Sequence, residues 1–455
     1  MELNWREIDR WIFGEAWTGS QIGDHVEVLC EQIGPRWASS EGERQAVEYL
    51  QEQFAQAGLA DAALEEFALN TWEYKRAEAT VGDMEIDLLP YNRCPPCNLK
   101  APIVNAGYGT AHEVDRVRSQ LKGSIAVMHL ALEPFTAPSP PNVRLAALCD
   151  AGAVAVVAID PKDGRRVEYH NGGDWREPET AELPIPAVTT SREHGALLQK
   201  WASESKRLKL AVESRFYQAS AHNVVASIPG ARWPRERLML GGHHDTVYGT
   251  PGGNDNASGT IAVLETARVL AGLKSALGVE PGMSLCFATY SAEEQIFQGS
   301  IEYVRQHCVA KPRLAINLDE LSTGSIKGVV LAFGHLRDLV QAQFNAMGDG
   351  LKCHVMSQLD ATSDHFPFLR EGIDAAHLWR WRFSGRHADS NYHHEPADTA
   401  DKLNVRELKE YVGQLARLLL RLSHVAPEEW PENPMTKEAV EERLAAERGT
   451  VVRVF

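Results

Sequence analysis

The sequence predicts an α/β protein with a mixed, mostly parallel central sheet flanked by helices and a smaller β-rich inserted domain. Three observations carry this expectation. From about residue 222, apolar strand-like runs alternate with helical periodicity, the pattern of a helix-covered sheet. Between about 102 and 217 the chain instead shows many short apolar runs separated by turn residues. In the C-terminal half, acidic and histidine residues recur just after the strand-like runs, where open α/β sheets gather ligands.

Residues 22–58 read as two helices broken near Gly34-Pro35, with Ala46, Val47, Leu50 and Phe54 at helical spacing in the second. Around 75–90 the pattern turns to short alternating stretches. In the middle region GSIAVMHLAL (123–132), AGAVAVVAI (151–159) and IPAVTT (185–190) are strand candidates, and PFTAPSPPN (134–142) and HNGGDWREPET (170–180) are loops. Strands are then expected at 237–242, 283–290, 313–318 and 327–333. A helix at roughly 257–273 carries Ile261, Leu264, Ala267 and Leu270 on one face, with Asn256 or Ser258 as its cap. A last long helix, about 403–424, presents Leu408, Val412, Leu415, Leu418, Leu419 and Leu422. The charged tail after Pro427 suggests one more surface helix. The expected organisation is 1–74 and 218–455 as the two parts of one domain, with 75–217 inserted.

Composition narrows the function classes. A net charge of −16 without any lysine- or arginine-rich stripe argues against nucleic acid as a partner. No run approaches the ~20 apolar residues of a membrane span. The amphipathic N-terminus lacks the parts of a secretory signal, so a cytoplasmic location is expected. Seven cysteines at irregular spacing suggest reduced thiols. Cys94 and Cys97, with two prolines between them, read as a proline-rich turn with buried thiols.

The chemistry is carried by a constellation. His243 and Asp245 follow one strand, Glu293 and Glu294 another, and Asp319 ends a third. Asp255 lies in the glycine-rich loop before the long helix, and His393 and His394 lie in NYHHEPADT. Singly, each has a plain structural explanation as a turn residue, a cap or a partner of a helix dipole. Jointly, they place many carboxylates at one sheet edge, where repulsion calls for a cation.

The motifs GGHHDT, GNDNASG, YSAEEQIFQGS, INLDE, TSDHFPF and YHHEPADT resemble the co-catalytic zinc aminopeptidase and glutamate carboxypeptidase family. The opening EQIGPRWASSEGERQAVEYLQEQFAQAG is similar to that family's N-terminal helices. The middle stretch resembles the protease-associated domain inserted in its members. The resemblance implies two zinc ions per chain: His243 and Asp319 on the first, Glu294 and His394 on the second, Asp255 bridging. It implies Glu293 as general base and Asp245 as the residue orienting His243. His394 is chosen over His393 because the family histidine stands four residues before an Asp-Thr pair, here Asp398-Thr399.

Two departures stand out. The tyrosine that donates to an oxyanion in some members is replaced by Gln358, Leu359 and Asp360, which leaves His393 and Tyr392 as candidate donors. The segment HLWRWRFSGRHADSNYHH offers Arg380, Arg382 and Arg386 as candidates for gripping a substrate carboxylate, against a simple strand alternation with the tryptophans. The implied activity is hydrolysis of a peptide or dipeptide amide, of aminopeptidase, dipeptidase or carboxypeptidase type, with a homodimer as an open assembly reading. The competing readings are a single-zinc glutaminyl cyclase-like acyltransferase and an inactive receptor-like relative.

Overall fold

A computed structural model describes residues 3–136, 139–172, 183–322, 325–380 and 392–447. Its organising feature is a ribbon of two very long antiparallel strands, β1 (Ala63–Val81) and β8 (Arg207–Ile228). Each buries one face only, so their sequences mix apolar and charged residues and resemble short alternating stretches more than long strands. At about 3.3 Å per residue, 22 residues make β8 long enough to serve two cores.

Between the ribbon strands run β2 (Met84–Ile86), β3 (Leu88–Pro90), β4 (Cys97–Asn105), β5 (Ile125–His129), β6 (Ala155–Ile159) and β7 (Ala187–Thr190). Strands β4 to β7 are parallel neighbours, β3 pairs antiparallel to β7, and β4 joins the first half of β8. The helices Ala111–Leu121, Pro141–Asp150 and Arg192–Ser203 connect them. This region has its own apolar core, with Ile125, Val127, Val156, Val157 and Val188 fully buried. Positions 75 and 217, where the composition changes, fall inside β1 and β8.

The second half of β8 pairs with β10 (Met283–Tyr290), which is parallel to β9 (Trp233–His243). Next come β11 (Leu314–Asn317), β14 (Ala375–Arg380), β12 (Ile326–Leu331) and β13 (Lys352–Val355). All pairings from β10 to β13 are parallel except β12 with β14, so this half is the mixed, mostly parallel sheet that the sequence predicts. The helix Ser258–Leu277 crosses between β9 and β10 and is buried from Ser258 to Leu270 apart from Arg268. The helix Val405–Ser423 buries all six leucine and valine positions expected of it and packs on the former and on Trp5–Thr18. The second expected N-terminal helix is Glu41–Gln56, capped by Ser40, and the tail helix is Lys437–Glu447.

All seven cysteines are free; Cys94 is buried in the turn and Cys97 opens β4. Among the described residues, no helix is long and apolar enough to cross a membrane.

Candidate metal centre

Three neighbouring parallel strands, in the order β11, β9, β10, end at one edge of the sheet. Their ladder fixes what stands beside what: His243 is level with Tyr290, and Asn317 with Gly241. His243 therefore ends its strand one turn of loop away from Glu293 and Glu294, and two residues of chain bring Asp319 to the same edge. The loop Gly253–Ala257 brings in Asp255. Its glycines are there for close approach: a Cβ on Gly253 would lie 2.5 Å from the carbonyl oxygen of Thr399. Gly252 has φ +59°, a left-handed conformation costly for other residues.

The side chains converge. His243 Nε2 lies 3.3 Å from Asp255 Oδ1, 3.5 Å from Asp319 Oδ1 and 3.9 Å from Glu293 Oε2. His394 Nε2 lies 3.3 Å from Asp255 Oδ2 and 3.1 Å from Glu294 Oε2. Asp255 thus faces His243 with one oxygen and His394 with the other. His393 Nδ1 also reaches Asp255 Oδ2 at 3.1 Å and Glu320 Oε1 at 3.2 Å, and its ring stacks on that of His394 at 3.7 Å. The ring of Tyr392 lies against both Arg166 and Lys402. Arg382 and Arg386 lie outside the described residues, as does the side chain of Arg380 at the end of β14.

The buried charges lack ordinary partners. His243 Nε2, both carboxylate oxygens of Glu294 and Asp319 Oδ1 are buried without a hydrogen bond. Burial pushes the carboxyl of Glu293 well above its usual range, and the carboxylates of Glu294, Asp364 and Asp319 add to it. Asp255 is held well below its usual range because His243, His393 and His394 outweigh the upward push of burial. Unpartnered nitrogen and carboxylate donors packed this closely suit a divalent cation of the zinc class. His243, Asp255 and Glu294 form one such group, and His243, Glu293 and Asp319 another.

A surrounding layer aims these groups. The carboxylate of Asp245 accepts the backbone N–H of Glu293 at 3.1 Å and of Glu294 at 3.3 Å. His243 Nδ1 is 3.2 Å from the carbonyl oxygen of Asp245 and 3.5 Å from its carboxylate. Asp398, pushed up to about 7 by burial, accepts the backbone N–H groups of Asn254 and Asp255. Ala257, and neither Asn256 nor Ser258, occupies the cap position of the long helix; Asn256 accepts from Gly259 N–H, while Ser258 donates to Asn254 and accepts from Leu321. Ala292, Ile296, Phe297, Glu320 and His394 all adopt left-handed backbone, with φ from +48° to +66°. Such conformations cost roughly 1–3 kcal/mol each and collect at functional sites.

Three supports were not legible as such in the sequence. Arg36 is fully buried, and its guanidinium donates to the carbonyls of Leu29, Gly34, His244, Pro251 and Gly252. Its GPRW context was the available signal. Tyr169, from the region between the ribbon strands, donates its N–H to the carbonyl of His394 at 3.0 Å, and its own carbonyl lies 3.2 Å from His394 Nδ1. Glu395 accepts from Lys162 Nζ at 2.5 Å and from Arg166 Nε and Nη2 at 2.8 Å. No local pattern announces contacts between residues more than two hundred positions apart.

The chain is similar to several known peptidases. Residues 223–419 match the model of Peptidase family M28. Carboxypeptidase Q of Bos taurus is 21% identical over 417 residues, covering 88% of this chain and 84% of that protein. Aminopeptidase YwaD of Bacillus subtilis is 24% identical over 403 residues, covering 85% and 80%. A peptidase M28 precursor from Shewanella amazonensis shares the fold with a TM-score of 0.77 at 20% identity, covering 95% of this chain and 99% of that one. BSAP, a zinc aminopeptidase from Bacillus subtilis, has a TM-score of 0.71 at 21% identity, covering 92% and 98%.

Proposed function

We propose, on the premise that this chain is a metallopeptidase whose residues 223–419 belong to Peptidase family M28, that it is a two-zinc exopeptidase acting on peptides or dipeptides. The convergence of His243, Asp255, Glu294, Asp319 and His394, with buried donor atoms left unpartnered, carries this reading. His243 and Asp319 would hold one ion, Glu294 and His394 the other, and Asp255 would bridge them. Bound zinc would supply Lewis acidity, easing the ionisation of water and polarising a carbonyl.

The protein's own residues do the remaining work. Glu293, beside His243 and shielded from solvent, takes a proton from the attacking water and passes it to the leaving amine. Asp245 aims it by holding the Glu293 and Glu294 backbone. His393, inside the cluster, is the better placed of the two candidate donors to an oxyanion, because Tyr392 is turned to Arg166 and Lys402. The inserted region, reaching the site through Tyr169, resembles a protease-associated domain and would narrow access.

Aminoacyl anilides, free dipeptides and their C-terminal amides, assayed side by side, test the substrate reading. Cleavage of anilides and dipeptides but not of internally blocked peptides is expected. Equal cleavage of blocked internal peptides would remove the exopeptidase assignment, and one zinc per chain with ring closure of N-terminal glutamine would replace it by a cyclase.

A further inference from the structure

Beyond the two-metal cluster, a second group of metal-binding side chains lies beside β11. His377 on β14 is level with Asn317, which stands two residues before Asp319. Asn317 donates to Ser363, and two residues on His365 opens the helix His365–Arg370. Asp360 precedes this turn, and its Oδ1 accepts the backbone N–H of Thr362 at 3.0 Å. That bond orients the carboxylate and leaves Oδ2 facing both imidazoles.

His365 Nε2 is 4.0 Å from Asp360 Oδ2, and His377 Nδ1 is 3.8 Å from the same oxygen. The two imidazole rings are 5.0 Å apart. One ligand atom from each of the three residues lies within 4.8 Å of the others. An ordinary N–H···O bond would be about 2.7–3.2 Å, so these are not hydrogen bonds. Two donors each about 2.1 Å from a shared zinc ion stand at most about 4.2 Å apart, and both separations to Asp360 fall within that limit. His365 is 2% exposed, and neither of its ring nitrogens has a hydrogen-bond partner. A buried imidazole without partners is costly, and an ion between it and Asp360 would remove that cost.

We propose that Asp360, His365 and His377 form a further binding site for a zinc-class divalent cation, separate from the catalytic pair. Two nitrogens and one carboxylate oxygen are a suitable donor set for such an ion and leave one position for water. The ion would tie the 359–365 loop to β14. That loop carries Ser363, bonded to Asn317, and Asp364, which accepts from Ser300. Its effect on the catalytic pair would therefore be structural, through the strand that leads to Asp319.

The test is a metal count on the full chain, equilibrated with buffered zinc and measured by mass spectrometry. The wild type is compared with Asp360→Asn and His365→Gln, each near the original volume. Circular dichroism confirms that the variants are folded, and cobalt substitution gives a second readout through its visible absorption. The expected result is three zinc ions in the wild type and two in either variant, with a matching loss of one cobalt chromophore. A wild type with two ions and variants with one would still support this site while removing the two-zinc reading of the catalytic cluster. Variants that retain the wild-type count and cobalt spectrum would overturn the proposal.

Discussion

His243 and Asp319 leave adjacent parallel strands whose main-chain ladder sets their separation, whereas Glu294 and His394 sit on loops. The difference extends to their supports. The strand side is braced by near neighbours, Asp245 in the loop after β9 and, on the helix Ser258–Leu277, Thr260, whose hydroxyl donates to the His243 carbonyl. The loop side is braced by residues distant in the chain. Tyr169 clasps the backbone and ring of His394, and Lys162 and Arg166 hold its neighbour Glu395. The region between the ribbon strands thus braces His394 and its neighbour Glu395. On the two-zinc reading proposed above, such a centre would tie binding at one position to the docking of a distant stretch of chain.

Four perturbations test this asymmetry, from the largest effect downward. Glu293 belongs to neither side, so Glu293→Gln should leave both positions able to bind zinc while kcat falls roughly 10²–10⁴-fold. Steady-state kinetics with a metal count on the same sample checks this; substantial residual turnover would remove Glu293 from its role.

Glu395→Ala removes the acceptor shared by Lys162, which keeps Glu168, and by half-buried Arg166, a loss bounded by the about 3–5 kcal/mol of breaking a fully buried pair. Zinc affinity at the His394 position should fall about 10–100-fold, as for other orienting partners of ligands, with the His243 position unchanged. Chelator competition resolves the two; equal weakening of both would break the comparison.

Asp398→Asn weakens the anchor of the bridging loop by replacing the carboxylate that accepts from Asn254 and Asp255. Here both positions should weaken together, by about tenfold, in the same titration. A one-sided loss would show that Asp255 does not bridge.

The mildest effect is on pH dependence. Burial holds His170 down at about 4, below its ordinary value of about 6.5. Its folded-state pKa is depressed, so its contribution to stability is complete above about 6.5 and is lost as pH falls toward about 4. Melting temperature should drop across that window in the wild type and drop less in His170→Gln. An identical slope in both would exclude His170 as a source of acid lability in this region.

Much of the catalytic half was legible in the sequence because its signals are local. The strands ending near 243, 290 and 318 are continuous apolar runs, as buried parallel strands must be. The helices at 258–277 and 405–423 carry their periodicity within a single window. The ribbon was harder to see. β1 begins at Ala63, well before the alternation noted around 75, since a strand buried on one face and bulged between Tyr74 and Arg76 gives no uninterrupted pattern.

By itself the sequence determined which residue types stand at the ends of those strands, and hence the expectation of a cation among clustered carboxylates and imidazoles. Strand order and register then follow from chain pairing, and only the tertiary structure decided them. It also decided that both adjacent histidines, His393 and His394, reach Asp255, while the contact to Glu294 belongs to His394. Likewise it placed Tyr169, Lys162 and Arg166 against a loop more than two hundred residues away. The physical reason is separation along the chain: periodicity and capping act over a few residues, whereas these contacts exist only once the long ribbon has brought two cores together.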